Sequence, residues 1–159
     1  MLDIVLVEPE IPQNTGNIAR TCVATGSRLH VIEPLGFRID DRQVKRAGLD
    51  YWFDLDLTIW PDLDSWVRAF AGRPVFYATT KGAQPYTEAR YPADAVLVFG
   101  KETRGLPESL LLAHPEQCIR IPMLSASRSL NLANAVAVVT YEALRQNGFP
   151  GLLAKSDFL

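Results

Sequence analysis

The order of elements along this chain predicts an α/β fold, a mostly parallel sheet with helices on both faces. Three observations carry the prediction. Short apolar runs alternate with helical segments throughout. Two of the runs, Ile4-Val5-Leu6-Val7 and Ala95-Val96-Leu97-Val98-Phe99, are apolar without interruption, the pattern of strands buried on both faces. The length, 159 residues, suits a single domain spanning 1–159 and is enough to bury a core without staples.

The first strand, Ile4–Val7, stops at Glu8-Pro9-Glu10-Ile11-Pro12, where two prolines forbid ladder pairing. A helix is expected from about Thr15 to Ala24, with Gly26 as its stop. Leu29-His30-Val31-Ile32 reads as the second strand, closed by Glu33-Pro34. The charged segment from Arg38 to Arg46 reads as a short helix ending at Gly48. Leu55-Asp56-Leu57-Thr58-Ile59 alternates apolar and polar residues, as an edge strand does. Between Asp62 and Phe70 a helix is expected, its core face formed by Leu63, Trp66, Val67 and Phe70. Val75–Ala78 and Ala95–Phe99 follow as strands. A short helix starts at Pro107, Cys118–Ile121 is another strand, and the clearest helix runs from about Asn131 to Gln146.

Composition narrows the function classes. Apolar residues make up 48% and charged residues 21%, which excludes a disordered chain. The formal net charge of -2 excludes a uniformly basic nucleic-acid binder but not a local basic patch. Cys22 and Cys118 stand far apart with no CxxC or Cys/His grouping, so neither a disulfide framework nor a zinc site is expected and both read as buried thiols. No metal pattern, dinucleotide fingerprint or phosphate loop is present, and neither His30 nor His114 has a triad-like neighbour in the sequence. The N-terminus lacks a signal peptide, and no apolar run approaches the roughly 20 residues of a membrane span, so a cytoplasmic protein is expected.

Ligands of open parallel sheets bind beyond the carboxyl ends of the strands. Three polar loops fall there: Pro12–Asn17 leading to Arg20, Gly100–Pro107, and Pro122–Asn131. Each residue also has a plainer reading. Asn14 could cap the first helix, Arg20 could be a solvated arginine, and Glu102 could pair with Lys101 or Arg104. Ser129 and Asn131 could simply begin the last helix. Together the loops suggest one composite site.

Taken in order, Asn14-Thr15-Gly16-Asn17-Ile18-Ala19-Arg20, Val98-Phe99-Gly100-Lys101-Glu102-Thr103-Arg104-Gly105-Leu106 and Ile121-Pro122-Met123 through Ser129-Leu130-Asn131-Leu132-Ala133-Asn134-Ala135 resemble the three motifs of the SPOUT methyltransferases. Within that class the chain is similar to the short tRNA 2'-O-methyltransferases that act on the wobble nucleotide of the anticodon. The resemblance implies a trefoil knot in the C-terminal half and S-adenosylmethionine (S-adenosyl-L-methionine) as cofactor. It places the cofactor against Ala78, Thr79, Gly100, Glu102, Ile121, Met123 and Ser129. It implies a catalytic set of Asn14, Arg20, Glu102, Ser129 and Asn131. It further implies a homodimer acting on the tRNA anticodon stem-loop, with no membrane or metal partner.

An apolar slot at the strand ends suits adenine, and Gly100 would let backbone approach the ligand closely. Arg20 is expected to clamp a phosphate, since its protonated guanidinium is a poor base. RNA contact is expected from Arg20, Lys45 and Arg46, with Arg38 and Arg42 nearby; Asp40 and Asp41 favour the alternative of a solvated helix face. The last helix, with Ala133 and the run Ala135–Val139, is apolar on nearly all sides, as for a helix buried between layers. The chain departs from the family where proline usually separates the glycine and glutamate of the second motif; Lys101 stands there. Lysine is expected to free the loop and place a charge near the RNA path, through a phosphate contact or at the expense of cofactor binding. Competing readings are a non-catalytic RNA-binding protein with the same fold, a methyltransferase of another RNA position, and a small nucleotide-binding α/β protein of another family.

Overall fold

The computed structural model describes residues 1–39 and 52–156. β1 (Asp3–Val7) is buried along its whole length. Its alternate side chains feed two cores, Ile4 and Leu6 on one face, Val5 and Val7 on the other. That is why the run carries no polar alternation.

α1 (Pro12–Thr25) begins three residues before the expected Thr15. Proline suits this first turn, because its missing N–H would have had no intrahelical partner. β2 (Arg28–Ile32) pairs with β1 in parallel, Val5 opposite His30. The expected charged helix, with Lys45 and Arg46, lies outside the described residues beyond 39. β3 (Leu57–Trp60) starts two residues later than expected and does lie at the sheet edge. α2 (Leu63–Ala69) is capped by Asp62, whose carboxylate accepts from Ser65 N at 2.7 Å. Its core face is narrower than the spacing predicts. Trp66 is buried, Leu63 and Phe70 pack beside it, but Val67 faces outward.

β6 (Val96–Phe99) is the central strand of the sheet, and β4 (Val75–Ala78) lies beside it. Between them in sequence lies β5 (Gln84–Pro85), an unexpected two-residue strand with no apolar run to mark it. α3 (Glu108–Ala113) follows Pro107, and β7 (Cys118–Arg120) releases Ile121 one residue early. α4 (Leu132–Gln146) closes the order. The seven strands stand as β3-β2-β1-β6-β4-β7-β5, and every pairing is parallel. α1 and α4 cover one face, with Ile18, Cys22, Val136 and Val139 fully buried. α2 and α3 cover the other through Trp66 and Leu111. Each such aliphatic side chain contributes about 1.5–3 kcal/mol by leaving water. In the single chain α4 is buried along one stripe, and Val138 and Tyr141 are exposed.

The amino ends of the strands are tied by charge. Asp3 is fully buried, and Arg28 Nε and Nη2 donate to it at 2.6 and 2.8 Å. Arg73 Nη2 adds a third bond at 2.8 Å and His30 Nε2 a fourth at 2.9 Å. Trp60 Nε1 donates to His30 Nδ1, which leaves the imidazole proton on Nε2, facing Asp3. Burial alone would raise the Asp3 pKa, but the bonds from His30, Arg28 and Arg73 outweigh it and hold the group at about 2. His30 therefore has an acidic neighbour that its own stretch of sequence conceals, since Asp3 reaches it across the β1–β2 pair. Trp60, and not a nucleophile, occupies the other ring nitrogen. Both cysteines are buried thiols, as expected, and burial pushes Cys22 up to about 12.

Candidate active site at the carboxyl ends of the strands

Ala78 and Phe99 end their strands side by side, Ile119 of β7 pairs with Ala78, and the loops beyond them enclose a cavity of about 530 Å³. All three polar loops of the sequence contribute to its wall, among them Asn14, Gly100, Glu102, Ser129 and Asn131. Thr79, Ile121 and Met123 line it as well. The composite site expected from the strand ends is thus a single concave surface.

The loop after β6 folds sharply. Gly105 has φ +69°, a left-handed conformation that favours glycine, and its N–H donates to the Lys101 carbonyl at 2.9 Å. A Cβ on Gly100 would lie 2.1 Å from the Gly105 carbonyl carbon and 2.2 Å from Leu106 N. Gly100 is therefore required by the loop's own return and not by ligand approach alone.

Glu102 sits at the centre of the polar network. It pairs with neither Lys101 nor Arg104. Its Oε2 accepts from Glu10 N at 2.8 Å, and its Oε1 from Ile11 N at 3.2 Å and Asn14 Nδ2 at 2.9 Å. The carboxylate thus lies where α1 begins, a position that the helix dipole favours. Ile11, the residue at the cap position, offers no side-chain oxygen. Asn14 is not a cap. It lies inside the first turn, 5% exposed, and its Oδ1 accepts from Asn131 Nδ2 at 3.0 Å. Asn131 does begin the last helix: its Oδ1 caps α4 by accepting from Ala133 N and Asn134 N, while its amide nitrogen reaches Asn14. These contacts fix the amide orientations of both asparagines.

Ser129 is exposed on the cavity wall and stands outside this chain of bonds. Arg20 is exposed on α1 and does not line the cavity. Six residues separate it from Asn14, roughly 9 Å along the axis and about 240° around it. The structure therefore joins Asn14, Glu102 and Asn131, sets Ser129 beside them, and leaves Arg20 outside the cavity wall.

Two features were not foreseen. Glu10 clamps the loop after β6, accepting from Thr103 N at 3.1 Å and Thr103 Oγ1 at 3.0 Å. Lys101 is not free; its ammonium lies 2.6 Å from Glu8 Oε2. The signal for both is the acidic pair flanking Pro9, Glu8-Pro9-Glu10, which resembles ordinary loop composition. Arg104, Arg120 and Arg128 also stand at the cavity, all exposed. Among the described residues, no group of His, Cys, Asp and Glu is placed to hold a metal ion, and no helix is long and apolar enough to cross a membrane.

The SpoU rRNA Methylase family profile matches residues 1–141. The chain is 54% identical over 154 residues to a tRNA (cytidine(34)-2'-O)-methyltransferase of Aeromonas hydrophila, covering 96% of this chain and 99% of that protein. It is 53% identical to the protein of the same name from Escherichia coli K12, covering 98% and 99%. Among solved structures, one described as giving insights into the 2-OH methylation of C/U34 on tRNA superposes with a TM-score of 0.89 at 47% identity, covering 93% of this chain and 97% of that one. The SpoU methyltransferase AviRb from Streptomyces viridochromogenes, in complex with AdoMet, superposes with a TM-score of 0.79 at 28% identity, covering 92% of this chain and 58% of that one.

Proposed function

The chain belongs to the SpoU rRNA methylase family, and from that premise we infer that it methylates the ribose 2'-oxygen of the wobble nucleotide, C34 or U34, in tRNA, using S-adenosylmethionine. The observation that carries the reading is the Glu102–Asn14–Asn131 chain of hydrogen bonds at the rim of the strand-end cavity. The high identity to relatives named for this reaction supports it.

The residues present suit the cofactor. The cavity falls within the roughly 300–1,000 Å³ of small-molecule sites, with apolar walls at Ala78, Phe99, Leu106 and Ile119. Among the described residues, the backbone N–H groups of Ile121 and Met123 make no hydrogen bond, so they remain available to an adenine edge. Ala78, Thr79, Gly100, Ile121 and Met123 would hold the cofactor, with Glu102 and Ser129 at its reactive end. The trefoil knot and the single-domain organisation belong to the same proposal, since the loops that would form the knot are those that share the cavity wall.

When bound, S-adenosylmethionine supplies a methyl group on a sulfonium, already an excellent leaving group. The protein's share is therefore positioning. Glu102 accepts three bonds and, with about four acceptor positions on a carboxylate, keeps one for an incoming hydroxyl. Asn14 and Asn131 orient the sugar, and Ser129 offers its hydroxyl at the same rim. The 2'-hydroxyl is a weak nucleophile that must lose its proton during or after attack. A guanidinium on the adjacent phosphate would favour that loss, the role we give Arg20.

Arg20 does not line its own cavity, so we give this role to the Arg20 of a second copy. Ile11, Leu130, Val138 and Tyr141 are exposed apolar residues near the cavity rim and on the outer face of α4. They support a homodimer in which Arg20 approaches the partner's cavity. The test is methyl incorporation: labelled S-adenosylmethionine, total tRNA from cells lacking this gene, and mapping of the labelled nucleoside. A 2'-O-methylated C34 or U34 is expected. Label elsewhere in the tRNA refutes the wobble assignment. No label, with cofactor bound and tRNA competent, favours a non-catalytic RNA-binding protein.

A further inference from the structure

We propose that Glu8 and Lys101 form an electrostatic latch that holds the Glu102 loop in its binding position, which makes both of them positioning residues for the cofactor cavity. The inference rests on the reading that this cavity takes S-adenosylmethionine.

The two ends of the Glu102 loop are gripped by the two acids of the loop after β1. Glu10 holds Thr103 on one side of Glu102, and Glu8 holds Lys101 on the other. The Lys101 and Glu8 side chains are 28% and 32% exposed, so solvent screens the pair only in part. Lys101, with Lys81, Arg104, Gly105 and Leu106, lines both the cofactor cavity and a second cavity of about 500 Å³ that includes Glu8.

The backbone of Glu8 gives independent support. Its φ is +50°, a left-handed conformation that is strained for a residue with a side chain, and the more so before proline. The N–H of this residue still donates to the Ile32 carbonyl at 2.9 Å, so the kink falls where the β1–β2 ladder ends. The kink is where the chain turns from the sheet toward Glu10 and α1. Strained backbone of this kind persists where its surroundings over-determine it, and such places cluster at functional sites.

Proline at 101 offers the matching control. The loop-closing bond runs from Gly105 N to the Lys101 carbonyl, which proline leaves in place; proline fixes φ without an ion-pair partner and removes only the Lys101 N–H that faces Gly105 across the bridge. If the ion pair is the latch, Glu8 matters only when lysine occupies position 101.

The experiment compares the full-length protein with Glu8→Gln, Lys101→Pro and the double variant. S-adenosylmethionine binding is read by calorimetry, and amide exchange of Thr103 and Gly105 is read without cofactor. Glu8→Gln is expected to raise Kd about three- to fivefold at low salt and to speed exchange by a similar factor. The difference from wild type is expected to shrink near 1 M salt without vanishing, because the pair is partly buried and its atoms lie 2.6 Å apart, inside the screening length of about 3 Å. In the Lys101→Pro background the same change is expected to do nothing. An equal effect in both backgrounds, or none in either, overturns the latch. Glu8→Gly, which relieves the left-handed strain, repeats the test should Glu8→Gln fold poorly. If the wild type binds no S-adenosylmethionine, the functional reading fails while the exchange measurement still decides the latch.

Discussion

Replacing Glu102 with glutamine tests the network most directly. The carboxylate accepts three bonds, two on Oε1 and one on Oε2. Glutamine has one acceptor oxygen. With that oxygen toward Ile11 N and Asn14 Nδ2, two bonds survive, and the new NH2 faces the N–H of Glu10. Reversing the amide loses two bonds instead of one. The better orientation forfeits one bond to a charged acceptor, about 1.5–3 kcal/mol, and weakens two others to neutral strength. Water reaches this half-buried rim and recovers part of the loss, so we expect about 2 kcal/mol of destabilisation. With a urea m-value of about 2 kcal/mol/M, the unfolding midpoint falls by about 1 M at unchanged m. Asn14→Ala costs less in the Glu102→Gln background than alone, by about 0.5–1 kcal/mol, because the two residues share a bond. An unchanged midpoint, or strict additivity of the two changes, would refute the idea that Glu102 ties the two loops through Asn14.

Three further outcomes follow. Asp3 ionises at about 2 in the folded protein against 3.8 for the unperturbed group, so its contribution is fully present above pH 4 and is lost as pH falls toward 2. Asp3→Asn should remove about 2 kcal/mol at pH 7 and flatten the acid limb of the stability curve measured between pH 5 and 2. Gly100→Ala places a methyl against backbone that cannot move aside without opening the loop. A loss of about 1–3 kcal/mol in stability and a weakened S-adenosylmethionine Kd by calorimetry are expected. Arg20→Lys keeps the charge but not the fork that grips a phosphate, and Arg20 is exposed. Its Tm and cofactor Kd should match wild type while turnover on tRNA drops at least tenfold; full turnover would exclude the clamp.

The sheet was readable because its strands are buried on both faces, so Ile4–Val7 and Ala95–Phe99 carry no competing pattern. The two-residue β5 was not readable, since its only mark is pairing with β7. The start of α1 was misplaced because Asn14 suits a cap better than Ile11 does, and the residue that serves the helix end, Glu102, lies 88 positions from Asn14. Asn14, Glu102 and Asn131 could be named from their motifs, but not the bonds that join them. Lys101 was misjudged for a related reason. A lysine beside a glutamate looks locally paired or free, whereas its partner, Glu8, lies 93 positions away.

Those separations also have a bearing on how the protein is made. Asn14 leaves the ribosome well before Asn131, since their bond spans 117 positions. Its other partner arrives with the loop after β6. At about 5–20 residues per second, the first half of the site waits several seconds or more for the second. A chain interrupted anywhere before α4 can hold several paired strands and still lack the rim where the ribose would sit. The rim is therefore complete only once Asn131 and α4 have been made.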